Sequence, residues 1–288
     1  MENTERTQMA VAVVDMHSAE AEMAFVETIR HTGFAVLRHP PLDPARLQRM
    51  AGAWREFFLG EDKRNYPAVE TSSGNSSGYI PPEVSETAVG PDHKDLKEFF
   101  HIVPETVLPP DLAEDARAHL HDAFALGQLI LGWLDLHCGN MLPRALRGKL
   151  AESLSAQDSL LRILHYPPLS GAEPPGAVRA AAHEDINLIT LLPVSAQPGL
   201  QVLTRGGQWV DVPGEPGDII VNSGDMLQEA SGRHLPSTTH RVINPPDEAS
   251  NQSRISMPYF LAPRLDVRLS DHHTAGSYLQ ERLDLLAR

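Results

Sequence analysis

Two histidines and a carboxylate stand at positions where they could meet. In AHEDINLITLL, His183 and Asp185 are two residues apart, and the apolar run that follows predicts a buried β-strand. Side chains alternate along a strand, so both groups are expected on one face. His240, 55 residues after Asp185, lies in TTHRVI, a second predicted strand. Two imidazoles and one carboxylate on a β scaffold form the set that binds Fe(II) and leaves three coordination positions open. Open positions are what oxygen chemistry requires.

The His-x-Asp spacing decides nothing by itself, because with 14 histidines in 288 residues about one such match is expected by chance. A second match exists, His93-Lys94-Asp95, but it precedes a strand and no pleat fixes its geometry. For His183 and Asp185 the competing reading is a surface pair on an edge strand. Against it stands the apolar run, which places them on a central strand where an unpaired charge would be costly. His234 follows Ser231-Gly232 in a loop, and His165 would have to leave its strand face, so both read as wall or core residues and His240 is preferred as third ligand.

Arg254 and Ser256 share one face of the predicted strand RISMPYFL. A buried guanidinium beside a hydroxyl is a donor set for clamping a carboxylate at the closed end of a barrel. The second Arg-x-Ser, Arg268 to Ser270, lies beyond Pro263 and reads as surface. On LLRILHYPP, Arg162, Leu164 and Tyr166 share a face taken as the barrel lumen; Tyr166 could add a hydroxyl to the clamp or simply fill the core.

The elements that must position these groups fall into two textures. Ser18 to His31 has helical apolar spacing and stops at Gly33; a strand, Phe34 to Leu37, follows; Asp43-Pro44 caps a second helix through Phe58. Leu59 to Asp92, rich in Gly, Ser, Pro and Asn, predicts a long loop able to cover a site. Leu96 to Val103 predicts a strand, Asp111 to Leu136 a long helix and Pro143 to Leu154 a shorter one. From about Ser159, seven short strands in about a hundred residues predict a β-barrel or jelly roll, and the chain closes in a helix from Tyr278 to Leu286. The expected fold is mixed α+β in one integrated unit, with 1–155 a helical N-terminal region, 156–265 the jelly-roll core and 266–288 the C-terminal helix.

Composition narrows the function class. A net charge of −14 repels a phosphate backbone, so nucleic-acid binding is not expected. Cys138 is the only cysteine, so no intramolecular disulfide can form, and no basic start with a long apolar run opens the chain. A cytoplasmic location is expected. The most apolar stretch, Phe124 to Leu136, has 13 residues and falls short of a membrane span.

HEDINLITLL, HRVINP, RISMPYFL and LLRILHYPP, preceded by GFAVLRHPPLD, REFFLGEDKRNY and DLKEFFHI, together resemble the isopenicillin N synthase-like family of non-haem Fe(II), 2-oxoglutarate-dependent oxygenases over nearly the whole chain. The resemblance implies a double-stranded β-helix core, Fe(II) on His183, Asp185 and His240, and the distal carboxylate of 2-oxoglutarate on Arg254 and Ser256. Many relatives carry Asn-x-Tyr where this chain has Leu164-His165-Tyr166, so the co-substrate contact passes to Tyr166 alone. It further implies that O2 and 2-oxoglutarate are consumed, a small molecule is hydroxylated or otherwise oxidised, and succinate and CO2 are released. Two alternatives stay open: a ring-closing oxidase that uses O2 without 2-oxoglutarate, with Arg254 and Ser256 holding the substrate's own carboxylate, and a jelly-roll binding protein without catalysis. With the Arg-x-Ser end closed by co-substrate, the prime substrate is expected at the other mouth. There Lys97, Phe99, His101, Arg162, the Thr71 to Pro82 loop and the C-terminal helix would surround it. The charge of Arg162 points to an amino-acid-derived or other carboxylate-bearing molecule, unless Arg162 pairs with a protein carboxylate such as Glu98. A monomer or weak dimer is expected.

Overall fold

The computed structural model describes residues 11–71, 76–84 and 95–286. Its strands are β1 (Val13–Asp15), β2 (Phe34–Arg38), β3 (Val69–Glu70), β4 (Ser76–Ile80), β5 (Glu98–Ile102), β6 (Leu160–Tyr166), β7 (Ala180–His183), β8 (Ile189–Pro193), β9 (Leu200–Leu203), β10 (Trp209–Asp211), β11 (Ile219–Ser223), β12 (His240–Val242), β13 (Arg254–Ser256) and β14 (Tyr259–Leu261). Its helices are α1 (Ala21–Thr32), α2 (Pro44–Leu59), α3 (Pro110–Cys138), α4 (Leu150–Ser153), α5 (Asp225–Ala230) and α6 (Ala275–Leu286).

The local signals act as expected where they are short-range. Asp43 caps α2, its carboxylate accepting from the Ala45 backbone N–H at 2.9 Å, with Pro44 in the first turn. Gly33 ends α1 at φ +71°, a conformation that costs glycine nothing.

Two sheets face each other in the jelly-roll manner. The large one runs β1-β2-β11-β8-β14-β6-β5-β4-β3, with β13 also on β6; the small one runs β10-β9-β12-β7. The N-terminal region thus contributes strands β1 to β5 to the large sheet as well as helices. Apolar residues divide between two cores. One fills the space between the large sheet and α1, α2 and α3, with Phe25, Trp54, Phe100, Ile130, Ile163 and Leu191. The other lies between the sheets, with Phe34, Val36, Phe99, Leu164, Tyr166, Val202, Ile220 and Val242. This second core is the wall of the lumen.

Several expectations are corrected. AHEDINLITLLPV is two strands in different sheets, and β7 is the edge of the small one, so Asp185 stands in the connection and not on a strand face. RISMPYFL likewise breaks at Met257-Pro258 into β13 and β14, because proline has no N–H for the ladder. β13 pairs with β6. Leu59 to Asp92 is not all loop: Ser76–Ile80 pairs with β5. Of Pro143 to Leu154 only Leu150–Ser153 is α-helix. His93 lies outside the described residues, as do 72–75 and 85–92 of the expected covering loop.

Candidate active site

A β-bulge aims the first histidine. His240 faces His183 and Val242 faces Ala180, so two steps along β12 match three along β7. The extra residue allows both Ala180 and His183 to point inward, which strict alternation forbids over that spacing. The imidazole rings of His183 and His240 end 4.3 Å apart between centroids, and Phe34 meets the His240 ring edge-on from the opposite sheet.

The carboxylate is held from the other sheet. On the lumen face of the large sheet, Asn222, Thr190 and Phe260 form one row across β11, β8 and β14. Two of them grip one oxygen of Asp185: the Thr190 hydroxyl donates to Oδ2 at 2.5 Å and Asn222 Nδ2 at 2.8 Å. Asn187 supports Thr190 from Nδ2 at 2.9 Å. The backbone is pinned as well, the Asp225 and Met226 N–H groups donating to the carbonyls of Asp185 and Asn187. Gly224 permits this, since a Cβ there would stand 2.3 Å from the Asn187 carbonyl oxygen and 2.8 Å from that of Asp185.

The other oxygen, Oδ1, lies 3.9 Å from His183 Nε2 and 3.8 Å from His240 Nε2. Each histidine spends its Nδ1 on a backbone carbonyl, His183 on Ala181 at 2.7 Å and His240 on Thr238 at 3.1 Å. An Nδ1–H donated to a carbonyl leaves the Nε2 lone pair outward, the tautomer a metal ligand needs. Surrounding protein, then repulsion from His240, pushes the His183 pKa down to about 4, so that imidazole is neutral near pH 7. Burial alone would raise the Asp185 pKa, but the two imidazoles and the Thr190 and Asn222 bonds outweigh it and keep the group anionic. Three donors, one of them charged, therefore converge on a point and fit a divalent iron. Another cluster, Asp15, His17 and His39, is wholly exposed, and its Asp15 Oδ1 already accepts from the His17 N–H and bonds His39 Nδ1.

Beside this point lies the guanidinium. Arg254 pairs with Tyr166 and Ser256 with Leu164 across β13 and β6, which puts Arg254, Ser256 and Tyr166 on the lumen face. Arg254 is buried, donates from Nε to the Gln197 carbonyl at 3.2 Å, lies 5.3 Å from the Tyr166 ring centre, and leaves Nη1 without a partner. Burial, with a smaller contribution from Arg179 nearby, pulls its pKa below the usual range. An orphaned buried guanidinium beside a buried hydroxyl fits a carboxylate.

At the other end, Phe99 and His101 line the lumen from β5, and Arg162 lies opposite His101 on β6. Arg162 Nε donates to His101 Nε2 at 2.8 Å, and its guanidinium sits 4.6 Å and 5.4 Å from the rings of Phe99 and Phe260. Glu98 is not its partner; that carboxylate binds Lys63, Tyr79 and His165 on the outer face. Lys97 is buried against Asp95 at 2.8 Å, and Asp95 also accepts from the Ala181 N–H, so the pair ties β5 to β7. The expected C-terminal helix meets the start of α5, whose first N–H holds the Asp185 carbonyl, through Arg282 and Asp225 at 3.1 Å. Thr190, Asn222 and Gly224 were not anticipated. The legible sign was Asn222, a polar residue after the apolar run Ile219 to Val221 within β11.

Residues 157–263 match the model of the 2OG-Fe(II) oxygenase superfamily. Rice gibberellin 3-beta-dioxygenase 1 is 30% identical over 93% of this chain and 72% of its own length. The 2-oxoglutarate-Fe(II) type oxidoreductase ppzC of Metarhizium majus is 30% identical over 75% of this chain and 66% of its own. The chain belongs to the 2-oxoglutarate and Fe(II)-dependent oxygenase superfamily. Among solved structures, a candidate oxygenase from Shewanella oneidensis superposes with a TM-score of 0.85 at 41% identity, covering 97% of this chain and 99% of that one. The full-length Neurospora crassa T7H in complex with alpha-KG shares the fold, with a TM-score of 0.79 at 23% identity over 99% of each chain. As a member of this superfamily, of isopenicillin N synthase-like type, the chain is a 2-oxoglutarate-dependent dioxygenase that uses Fe(II), 2-oxoglutarate and O2. Among the described residues no helix is long and apolar enough to cross a membrane.

Proposed function

We propose that this dioxygenase holds Fe(II) on His183, Asp185 and His240, receives the distal carboxylate of 2-oxoglutarate on Arg254, Ser256 and Tyr166, and hydroxylates or otherwise oxidises a small carboxylate-bearing molecule at the Arg162 end. When bound, Fe(II) and 2-oxoglutarate supply the oxidising chemistry, O2 being reduced as the oxo acid becomes succinate and CO2. The protein's residues orient and exclude. Thr190 and Asn222 fix one Asp185 oxygen so that the other faces the histidines, and the Nδ1 bonds fix both imidazoles. The catalytic unit is 156–265, with lumen walls added by Phe34 and Phe99 from 1–155.

The observation that carries this reading is the two-ended lumen. Tyr166 and Arg162 lie on one strand face four residues apart, about 13 Å at strand rise. An orphaned guanidinium marks the first end and an aromatic-flanked one the second. The first end suits a co-substrate anchored by its distal carboxylate, which leaves the second for the substrate. Phe99 and Phe260 would pack an apolar body while Arg162 pairs its acid.

Anaerobic titration with Fe(II), followed by O2, 2-oxoglutarate and a panel of amino-acid-derived acids, tests this. The expected result is succinate formed in proportion to acid consumed, with Asp185→Ala losing iron binding while its circular dichroism stays unchanged. Iron binding retained in Asp185→Ala overturns the metal assignment. Turnover unaffected by Arg162→Met, with the KM for the acid unchanged, overturns the substrate assignment.

A further inference from the structure

Arg179 lies just before β7 and is among the largest fully buried side chains, 1% exposed. Its Nη2 donates to the Gln252 carbonyl at 2.7 Å, and its Nε has no partner. The side-chain amide of Gln197 joins Gln252 at 3.2 Å, while the Gln197 carbonyl accepts from Arg254. Both guanidiniums therefore hang on one polar bracket, each with one orphaned nitrogen. Neither forms an ion pair with any described carboxylate. The two cations also repel each other, Arg179 being one cause of the lowered Arg254 pKa. Two buried like charges without a counter-ion are costly, and each nitrogen left unsatisfied adds to the cost. A ligand anion arriving between them would relieve both penalties at once.

We propose that Arg179 is a second cationic binding residue for the distal carboxylate of 2-oxoglutarate, forming with Arg254 a two-guanidinium clamp. The proposal rests on the reading that Arg254 and Ser256 receive that carboxylate. Its chemical consequence is selectivity: a 2-oxo acid lacking the second carboxylate leaves two buried charges uncompensated instead of one.

The test is calorimetric binding to the Mn(II)-loaded full chain, which binds without turnover, using 2-oxoglutarate and 2-oxopentanoate as probes. Arg179→Gln is expected to raise the Kd for 2-oxoglutarate tenfold or more and to leave that for 2-oxopentanoate within twofold, with Arg179→Lys recovering most of the loss. An unchanged 2-oxoglutarate Kd, or equal weakening of both acids, overturns the proposal. Arg254→Gln separates the two readings. If it binds 2-oxoglutarate as well as the parent does, the underlying carboxylate assignment fails; if it weakens binding but Arg179→Gln does not, only the clamp fails. Should Arg179→Gln not fold, Arg254→Gln carries the decision, because Arg179 is then the remaining cation. It should still favour 2-oxoglutarate over 2-oxopentanoate severalfold, and equal affinities there overturn the clamp.

Discussion

At the scale of single residues, the candidate metal ligands were legible in the sequence and their supports were not. His183, Asp185 and His240 carry distinctive chemistry, so type and spacing find them. Thr190 is one ordinary residue in a strand, and its importance depends on which carboxylate oxygen it meets. Arg179 was missed for the same reason: nothing in GAVRAAAH says that the arginine is buried. Thr190→Val keeps the shape of that side chain and removes one of two donors to Asp185 Oδ2. Residues that orient metal ligands typically contribute about 10–100-fold to metal affinity. Thr190→Val should therefore weaken Fe(II) binding by about that factor while 2-oxopentanoate still binds the metal-loaded variant at saturating metal. An iron affinity equal to the parent's would mean that Asn222 alone holds the carboxylate.

At the scale of elements, the long helices could be read from short-range signals, with Asp43-Pro44 and Gly33 marking the ends of two of them, whereas Pro143 to Leu154 holds only one short helix and α5 was not expected. The strands around the site could not be read fully, because the pattern of one segment does not report its partner. The apolar run after Asp185 belongs to β8 in the large sheet, while His183 ends β7 in the small one, so the candidate metal ligands straddle a crossing between sheets. The bulge in β7 leaves no trace in a run of three alanines. The crossing is held by packing of the Asp185–Asn187 connection on the start of α5, and this is where Gly224 matters. Its φ of −103° suits any residue, so the constraint is space and not backbone conformation. Gly224→Ala sets a methyl against two carbonyl oxygens and the Asn187 amide. Overpacking of this kind costs about 1–3 kcal/mol. The expected outcome is a lower Tm together with weaker Fe(II) binding, since the displaced loop carries Asp185. A lower Tm with unaltered iron affinity would show that the loop yields without moving its carboxylate.

At the scale of the whole molecule, a long helix packs on the large sheet over a largely apolar core, and His119 sits inside it. His119 on α3 is 2% exposed and its Nε2 has no partner. Burial, and then the nearby Arg46, push its pKa down to about 4 from an ordinary 6.5. The folded state thus binds this proton more weakly than the unfolded state does. Above pH 6.5 both states are neutral at this site and the folded protein has its full stability. As pH falls from 6.5 towards 4 the unfolded chain takes up the proton first, and stability is lost across that window. A fall from 6.5 to about 4 corresponds to about 3 kcal/mol at the lower end. His119→Leu removes the titration while keeping the site apolar. Chemical unfolding of both proteins at pH 7.5 and pH 4 separates this effect from all others, because every remaining carboxylate and histidine titrates in both. The parent should lose about 3 kcal/mol more than the variant between the two pH values, whatever their absolute stabilities. Equal losses would mean that the core opens enough to admit water to the imidazole, and that the packing of α3 on the sheet is looser than its burial indicates.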